Sequence, residues 1–224
     1  MIDTTEIPYI DVHTHNKEKE EGITVFNLLN EDDAVIDEEG RKYSLGIHPW
    51  YIDDMTVEKH YEFIDKYINN ENVIAIGECG LDKLVNVPSA LQKEILTYQF
   101  QLAEKLNKPV IIHCVRAYEE LLALKKKLDF GQTMIIHGFN SSPKIGDMLI
   151  KAGFYFSFGK AILKDDSNAA KIIKKFSSGR LFLETDDSKR SIIKIYERAA
   201  SLMQIDIEEL KVIIYKNYQK VFSK

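Results

Sequence analysis

Cysteine is scarce in this chain: 224 residues hold only Cys79 and Cys114. Two thiols cannot build the bridge framework that staples small secreted domains. Proline and glycine are also few, at 5 and 11, which excludes collagen-like and low-complexity chains. No apolar run approaches the ~18–20 residues of a membrane-crossing helix. Met1-Ile2-Asp3-Thr4-Thr5-Glu6 lacks the basic-then-apolar layout of a secretion signal. The expected setting is cytoplasmic, with no membrane partner, and no apolar stripe calls for an obligate protein partner. Basic residues are thin in residues 1–82, with 6 Lys/Arg against 20 Asp/Glu; the remainder reverses this, with 24 against 15. A net charge of −5 excludes a general-purpose nucleic-acid binder, whose affinity comes mainly from Lys and Arg. The basic later part can still guide an anionic substrate, and a bound metal would add positive charge.

What is present is ordinary for a globular protein, with 45% hydrophobic and 29% charged residues. Short apolar runs alternate with longer helical patterns: Tyr9–Val12, Thr24–Asn27, Tyr43–Gly46, Val73–Gly77, Val110–His113, Thr133–His137, Tyr155–Phe158 and Leu181–Glu184. Continuous apolar runs suit strands buried on both faces, as in a parallel sheet. Helical patterns cover Val57–Asn70, Ser89–Leu106, Tyr118–Leu128, Pro143–Ala152, Ser167–Ser177, Ile192–Met203 and Ile207–Phe222. Strand–helix alternation of this kind predicts an α/β fold, a (β/α)8 TIM barrel, as a single domain over residues 1–224. The connections Asn16–Ile23 and Leu28–Lys42 look too short for full helices, so the ring is expected to be shortened around the first three strands. A doubly wound open sheet is the alternative. It normally carries a glycine-rich turn after its first strand, and here that turn reads His13-Thr14-His15.

The histidines number only six, and their placement is informative. His13 and His15 follow the first expected strand, Glu78 the fourth, His113 ends the fifth, His137 the sixth, and Asp186 follows the eighth. These are the strand ends from which barrel active sites are built. In an extended His-x-His both imidazoles leave the same face and can grip one cation. Imidazole with carboxylate suits divalent transition ions. Four histidines and two acids exceed the three protein ligands of a typical mononuclear catalytic zinc; two metals sharing a carboxylate would use all six. Singly, each residue fits a structural role as well; the set points to chemistry.

The series Asp11-Val12-His13-Thr14-His15, Gly46-Ile47-His48-Pro49, Gly77-Glu78-Cys79-Gly80-Leu81-Asp82, Pro109-Val110-Ile111-Ile112-His113, Ile136-His137-Gly138-Phe139 and Glu184-Thr185-Asp186 resembles the TatD family. Its members are metal-dependent deoxyribonucleases and related hydrolases of the amidohydrolase superfamily. The resemblance spans nearly the whole chain. It implies two divalent ions (Zn, Mg or Mn), with His13 and His15 on one, His113 and His137 on the other, and Glu78 bridging. Asp186 would ligate the first ion and orient or deprotonate the attacking water, so Asp186 and Glu78 are the expected catalytic residues, through a metal-bound water. His48 and Arg116 are the expected substrate contacts. The family commonly has its arginine two residues after the strand-five histidine; here Arg116 stands three after His113. Lys160 is a further phosphate candidate. Trp50, Tyr51 and Phe139 follow strand ends and could line a pocket, whereas Tyr155, Phe156 and Phe158 read as core. Cys79 and Cys114 read as packing groups. Asp187-Ser188 replaces the small residue and proline frequent in the family, and the chain is short between its first and third strands. The expected substrate is DNA or another phosphodiester or ester. The alternatives are a metal-dependent hydrolase of another ester, amide or lactone, and a non-catalytic metal-binding barrel.

Overall fold

Each apolar run becomes a strand in the computed structural model, which describes residues 7–16, 22–29, 41–52, 57–176 and 179–223. The strands are β1 (Ile10–Thr14), β2 (Ile23–Leu28), β3 (Lys42–Leu45), β4 (Val73–Asp82), β5 (Val110–Val115), β6 (Met134–Ile136), β7 (Tyr155–Phe158) and β8 (Leu181–Leu183). The described helices are α1 (Val57–Tyr67), α2 (Ser89–Leu106), α3 (Tyr118–Lys127), α4 (Pro143–Lys151), α5 (Asn168–Ile172), α6 (Ile192–Met203) and α7 (Ile207–Phe222). One eight-stranded sheet runs in the order β1 to β8 with parallel ladders. That is the (β/α)8 order, in place of the open doubly wound alternative. The shortened first two connections fall on residues 17–21 and 30–40, which lie outside the described residues. No helix among the described residues is long and apolar enough to cross a membrane.

Helix boundaries follow local chemistry. Ser142, Ser167, Ser191 and Asp206 cap α4 to α7 through side-chain oxygens that accept backbone N–H groups. Asn107 closes α2 in the left-handed conformation, and Lys125–Lys127 fill the last turn of α3, where cations complement the helix dipole. Two expected elements change most in length. The fifth helix gives way after Ile172 to a 3-10 turn over Ile173–Phe176, and Phe176 there packs on Phe156 and Phe158. β4 extends to Asp82 because Cys79–Asp82 pair with Ile112–Val115 of β5.

Backbone contacts divide the chain into two compact units: residues 1–26 with 137–224, and residues 27–136. In the first, β1 pairs with β2 and β7 with β8. The fully covered rings of Phe139, Phe154, Phe156, Phe158 and Phe182 dominate its core. Tyr196 of α6 pins the start of β1, donating its hydroxyl to the Ile10 carbonyl at 3.1 Å while accepting the Ile10 N–H at 3.0 Å. In the second unit β3, β4, β5 and β6 pair in turn. Phe100 stacks on Phe130 at 4.3 Å, and Gln99 of α2 accepts the Ile47 N–H at 2.7 Å, fixing the loop after β3.

Candidate functional site

The first unit gathers His13, His15, His137 and Asp186. β1 carries His13 and delivers His15 just beyond its end, with both rings toward Asp186. The His13 Nε2 lies 3.8 Å and the His15 Nε2 3.7 Å from the Asp186 Oδ1. His13 is fully covered, while His15 and Asp186 keep 29% and 26% of their side chains exposed. His137, one residue past β6, brings its ring to 4.4 Å from that of His13. One donor atom each from His13, His137 and Asp186 falls within 4.8 Å of the others. Bonds of ~2.0–2.1 Å at tetrahedral angles would set ligand atoms about 3.3–3.4 Å apart. The His13 and His15 nitrogens stand within tenths of an ångström of that spacing from the Asp186 carboxylate, and imidazole with carboxylate is a donor set that suits a divalent ion.

Asp186 is aimed by its backbone. It sits at φ +54°, its N–H donates to the His13 carbonyl, and its carbonyl accepts from the His15 N–H, each at 3.0 Å. Beneath it runs a buried chain of polar groups that the sequence reading did not single out. Asp11 Oδ1 accepts the N–H of His13 at 3.3 Å and of Thr185 at 3.1 Å. Asp11 Oδ2 lies 2.5 Å from the Thr185 hydroxyl, which lies 2.7 Å from that of Thr14, itself 3.3 Å from the Asp186 carbonyl. One hydroxyl hydrogen cannot serve two neighbours. With Asp11 ionised, Thr185 donates to Asp11 and Thr14 to Thr185; with Asp11 protonated the order runs from Asp11 to Thr185, Thr185 to Thr14 and Thr14 to Asp186. Burial pushes the Asp11 carboxyl up to about 8 against the Thr185 hydrogen bonds, which favours the protonated order.

Glu184, fully buried, is a second such partner. Its Oε1 accepts the Gly138 N–H at 2.7 Å and faces the His137 Nδ1 at 3.4 Å. Burial alone would raise this carboxyl, but His137 and His13 outweigh it and hold it below the usual range. Lys160 pairs with Asp187 at the exposed end of the same unit. That hydrogen bond raises the ammonium and lowers the carboxyl. Phe139 does not line a pocket: it is 1% exposed and packs on Phe156 and Phe158, because the chain turns it inward after Gly138.

The second unit gathers Glu78, His113, His48 and Asp82. Glu78 lies within β4, its Oε1 3.0 Å from the His113 Nδ1 and 3.1 Å from the His48 Nε2. Donor atoms of His48, Glu78 and His113 fall within 4.8 Å of one another, and the Glu78 carboxylate with the His113 imidazole is of the kind that suits a divalent ion. Asn27 Oδ1 accepts the Glu78 N–H at 2.7 Å and the Ser44 hydroxyl at 3.2 Å. Glycine permits the close strand approach: a Cβ at Gly80, whose φ is +157°, would stand 1.8 Å from the His113 carbonyl oxygen. Asp82 Oδ2 accepts the Trp50 indole N–H at 2.8 Å and meets the His113 Nε2 at 3.1 Å. Burial would raise the Asp82 carboxyl, but the Trp50, Leu84 and His113 donors outweigh it and lower it. Trp50 and Tyr51 are 59% and 46% exposed. Arg116 is exposed with φ +55° just past β5. Cys79 and Cys114 are buried; burial raises both thiols, Cys114 to about 12, so neither is a thiolate at neutral pH.

A signal for Asp11, Asp82 and Glu184 did exist, since each stands in a motif beside a ligand candidate. Sequence alone gives no partner for any of them. The model of the family described as TatD related DNase matches residues 10–223. A protein of Bacillus subtilis named uncharacterized metal-dependent hydrolase YabD is 30% identical over 196 residues, 80% of this chain and 76% of that protein. Another such hydrolase, MJ1582 of Methanocaldococcus jannaschii, is 28% identical, covering 98% of both. The crystal structure of YjjV, a TatD homologue from Escherichia coli, superposes with a TM-score of 0.83 at 21% identity. That match covers 96% of this chain and 98% of that one, and it shares the (β/α)8 fold.

Proposed function

The chain belongs to the TatD-related DNase family of metal-dependent hydrolases, and from that premise we propose that it is a deoxyribonuclease cleaving phosphodiester bonds with two divalent ions. The observation that carries the reading is the pair of imidazole–carboxylate ligand sets, His13, His15, His137 and Asp186 in one unit and Glu78 with His113 in the other. Zn, Mg or Mn suits such imidazole–carboxylate donors. When bound, such ions supply Lewis acidity toward a phosphoryl oxygen and an acidified water.

The chain's own groups do the rest. Asp186 is anchored on both sides by backbone hydrogen bonds, to His13 and His15. Its carboxylate is partly open to water, so it orients the attacking water and accepts its proton. Glu78, 4% exposed, acts as a ligand from a covered position. Arg116, exposed beyond β5, offers a planar fork to a phosphate. His48 presents its Nε2 at the same carboxylate as His113 and contacts substrate or holds Glu78. One observation favours a different ester, amide or lactone substrate: Lys160, the other phosphate candidate, is already engaged by Asp187.

The test is elemental analysis of the purified protein together with digestion of labelled single- and double-stranded DNA, with and without chelator. About two ions per chain and chelator-sensitive cleavage are expected. Two ions without cleavage transfer the proposal to another ester, amide or lactone. Absence of metal after reconstitution overturns the centre.

A further inference from the structure

His113 lies between two carboxylates, and the two contacts are chemically unequal. Its Nδ1 faces Glu78 Oε1 at 3.0 Å; its Nε2 faces Asp82 Oδ2 at 3.1 Å. Asp82 is already an acceptor twice over, from the Trp50 indole N–H and from the Leu84 backbone N–H at 2.8 Å each. A carboxylate serving three donors has no hydrogen of its own to give. The hydrogen between Asp82 and His113 therefore rides on the imidazole Nε2. In a neutral ring that leaves the lone pair on Nδ1, the nitrogen on the Glu78 side.

The same tryptophan settles His48. The Trp50 backbone N–H donates to the His48 Nδ1 at 3.0 Å, because Pro49–Tyr51 form a 3-10 turn capped by that ring. The His48 hydrogen must then sit on Nε2, 3.1 Å from Glu78 Oε1. A nitrogen that carries a hydrogen cannot also give a lone pair to a metal. His48 is thus a donor to Glu78, and Glu78 and His113 are the ligands.

We propose that Asp82 and Trp50 are positioning residues of the metal centre: Asp82 holds the His113 hydrogen on Nε2 so that Nδ1 faces the ion, and Trp50 fixes Asp82 through its indole and His48 through its backbone. This rests on the metal-centre reading above. Such outer partners of ligand histidines typically contribute 10–100-fold in metal affinity. Trp50→Phe keeps an aromatic ring and the backbone donor but removes the indole N–H with its five-membered ring, leaving Asp82 itself in place, so its effect is the smaller.

The experiment uses the full chain with histidine labelled in nitrogen-15 and zinc as the probe. Long-range nitrogen–proton correlations read the protonated nitrogen of each ring, and competition with a chromophoric chelator reads zinc affinity. Expected are an Nε2-protonated, Nδ1-bound His113 in the zinc-loaded wild type and an Nε2-protonated His48. Asp82→Asn is expected to weaken one zinc 10–100-fold and disturb the His113 pattern, leaving the other zinc in place. Trp50→Phe should shift both readouts the same way by less, and it carries the test if Asp82→Asn does not fold. Unchanged His113 signals and zinc affinity in both variants overturn this inference alone, as does an Nε2-bound His113 in the wild type. A wild type that takes up no zinc overturns the metal-centre reading and this inference with it.

Discussion

Replacing Asp11 by asparagine isolates the buried proton beneath Asp186. The carboxyl is raised from 3.8 to about 8 in the fold, so between those pH values the folded chain binds a proton that the unfolded chain has lost. Stability therefore falls as pH rises through this window, by about 1.4 kcal/mol per pH unit. Between pH 5 and pH 7 the wild type should lose roughly 2–3 kcal/mol that Asp11→Asn does not lose. The asparagine amide mimics the protonated acid. Its oxygen still accepts the His13 and Thr185 N–H groups, and its nitrogen donates to the Thr185 hydroxyl. One amide hydrogen gains no partner, at about 1 kcal/mol, so the variant is the less stable protein near pH 4 and the more stable one at pH 7. The assay is urea unfolding of both proteins at matched pH values in chelator, because cations at the neighbouring ligands favour the ionised acid. Taking the difference cancels every other titrating group. Stability curves that run parallel with pH would refute the protonated-Asp11 chain.

Other perturbations test other parts of the structure. Asp186→Asn should keep the fold and most of the metal while losing roughly 10²–10⁴ in turnover; full activity refutes its assignment as the base. His13→Ala should lose metal along with activity, and unchanged metal content by elemental analysis would remove His13 from the ligand set. Arg116→Ala should weaken anionic substrates selectively, so an equal loss on an uncharged ester argues against a phosphate contact. Gly80→Ala places a methyl where the His113 carbonyl stands, 1.8 Å from its Cβ position at φ +157°. It should destabilise by about 3 kcal/mol or more in thermal melts, and a change below ~0.5 kcal/mol would show that β4 moves freely there.

Much of this molecule is written locally. Alternation of apolar runs with capped amphipathic stretches determines the (β/α)8 order, because strand and helix periodicities are properties of neighbouring residues. The candidate ligands were legible for the same reason: histidines and acids at strand ends are few, and the His-x-His spacing places His13 and His15 on one face. Local sequence also set the termination of α2 at Asn107 and the serine caps. Tertiary structure decided the rest. It turned Phe139 from a rim position into the core, drew the end of the fifth helix into a 3-10 turn over Phe176, and tied Lys160 to Asp187. Above all it decided where protons reside. Asp11 meets Thr185 across 174 positions, Glu184 meets Gly138 across 46, and Asp82 meets His113 across 31. A proton's place depends on burial and on the donors facing each group, and those partners come together only when the chain folds.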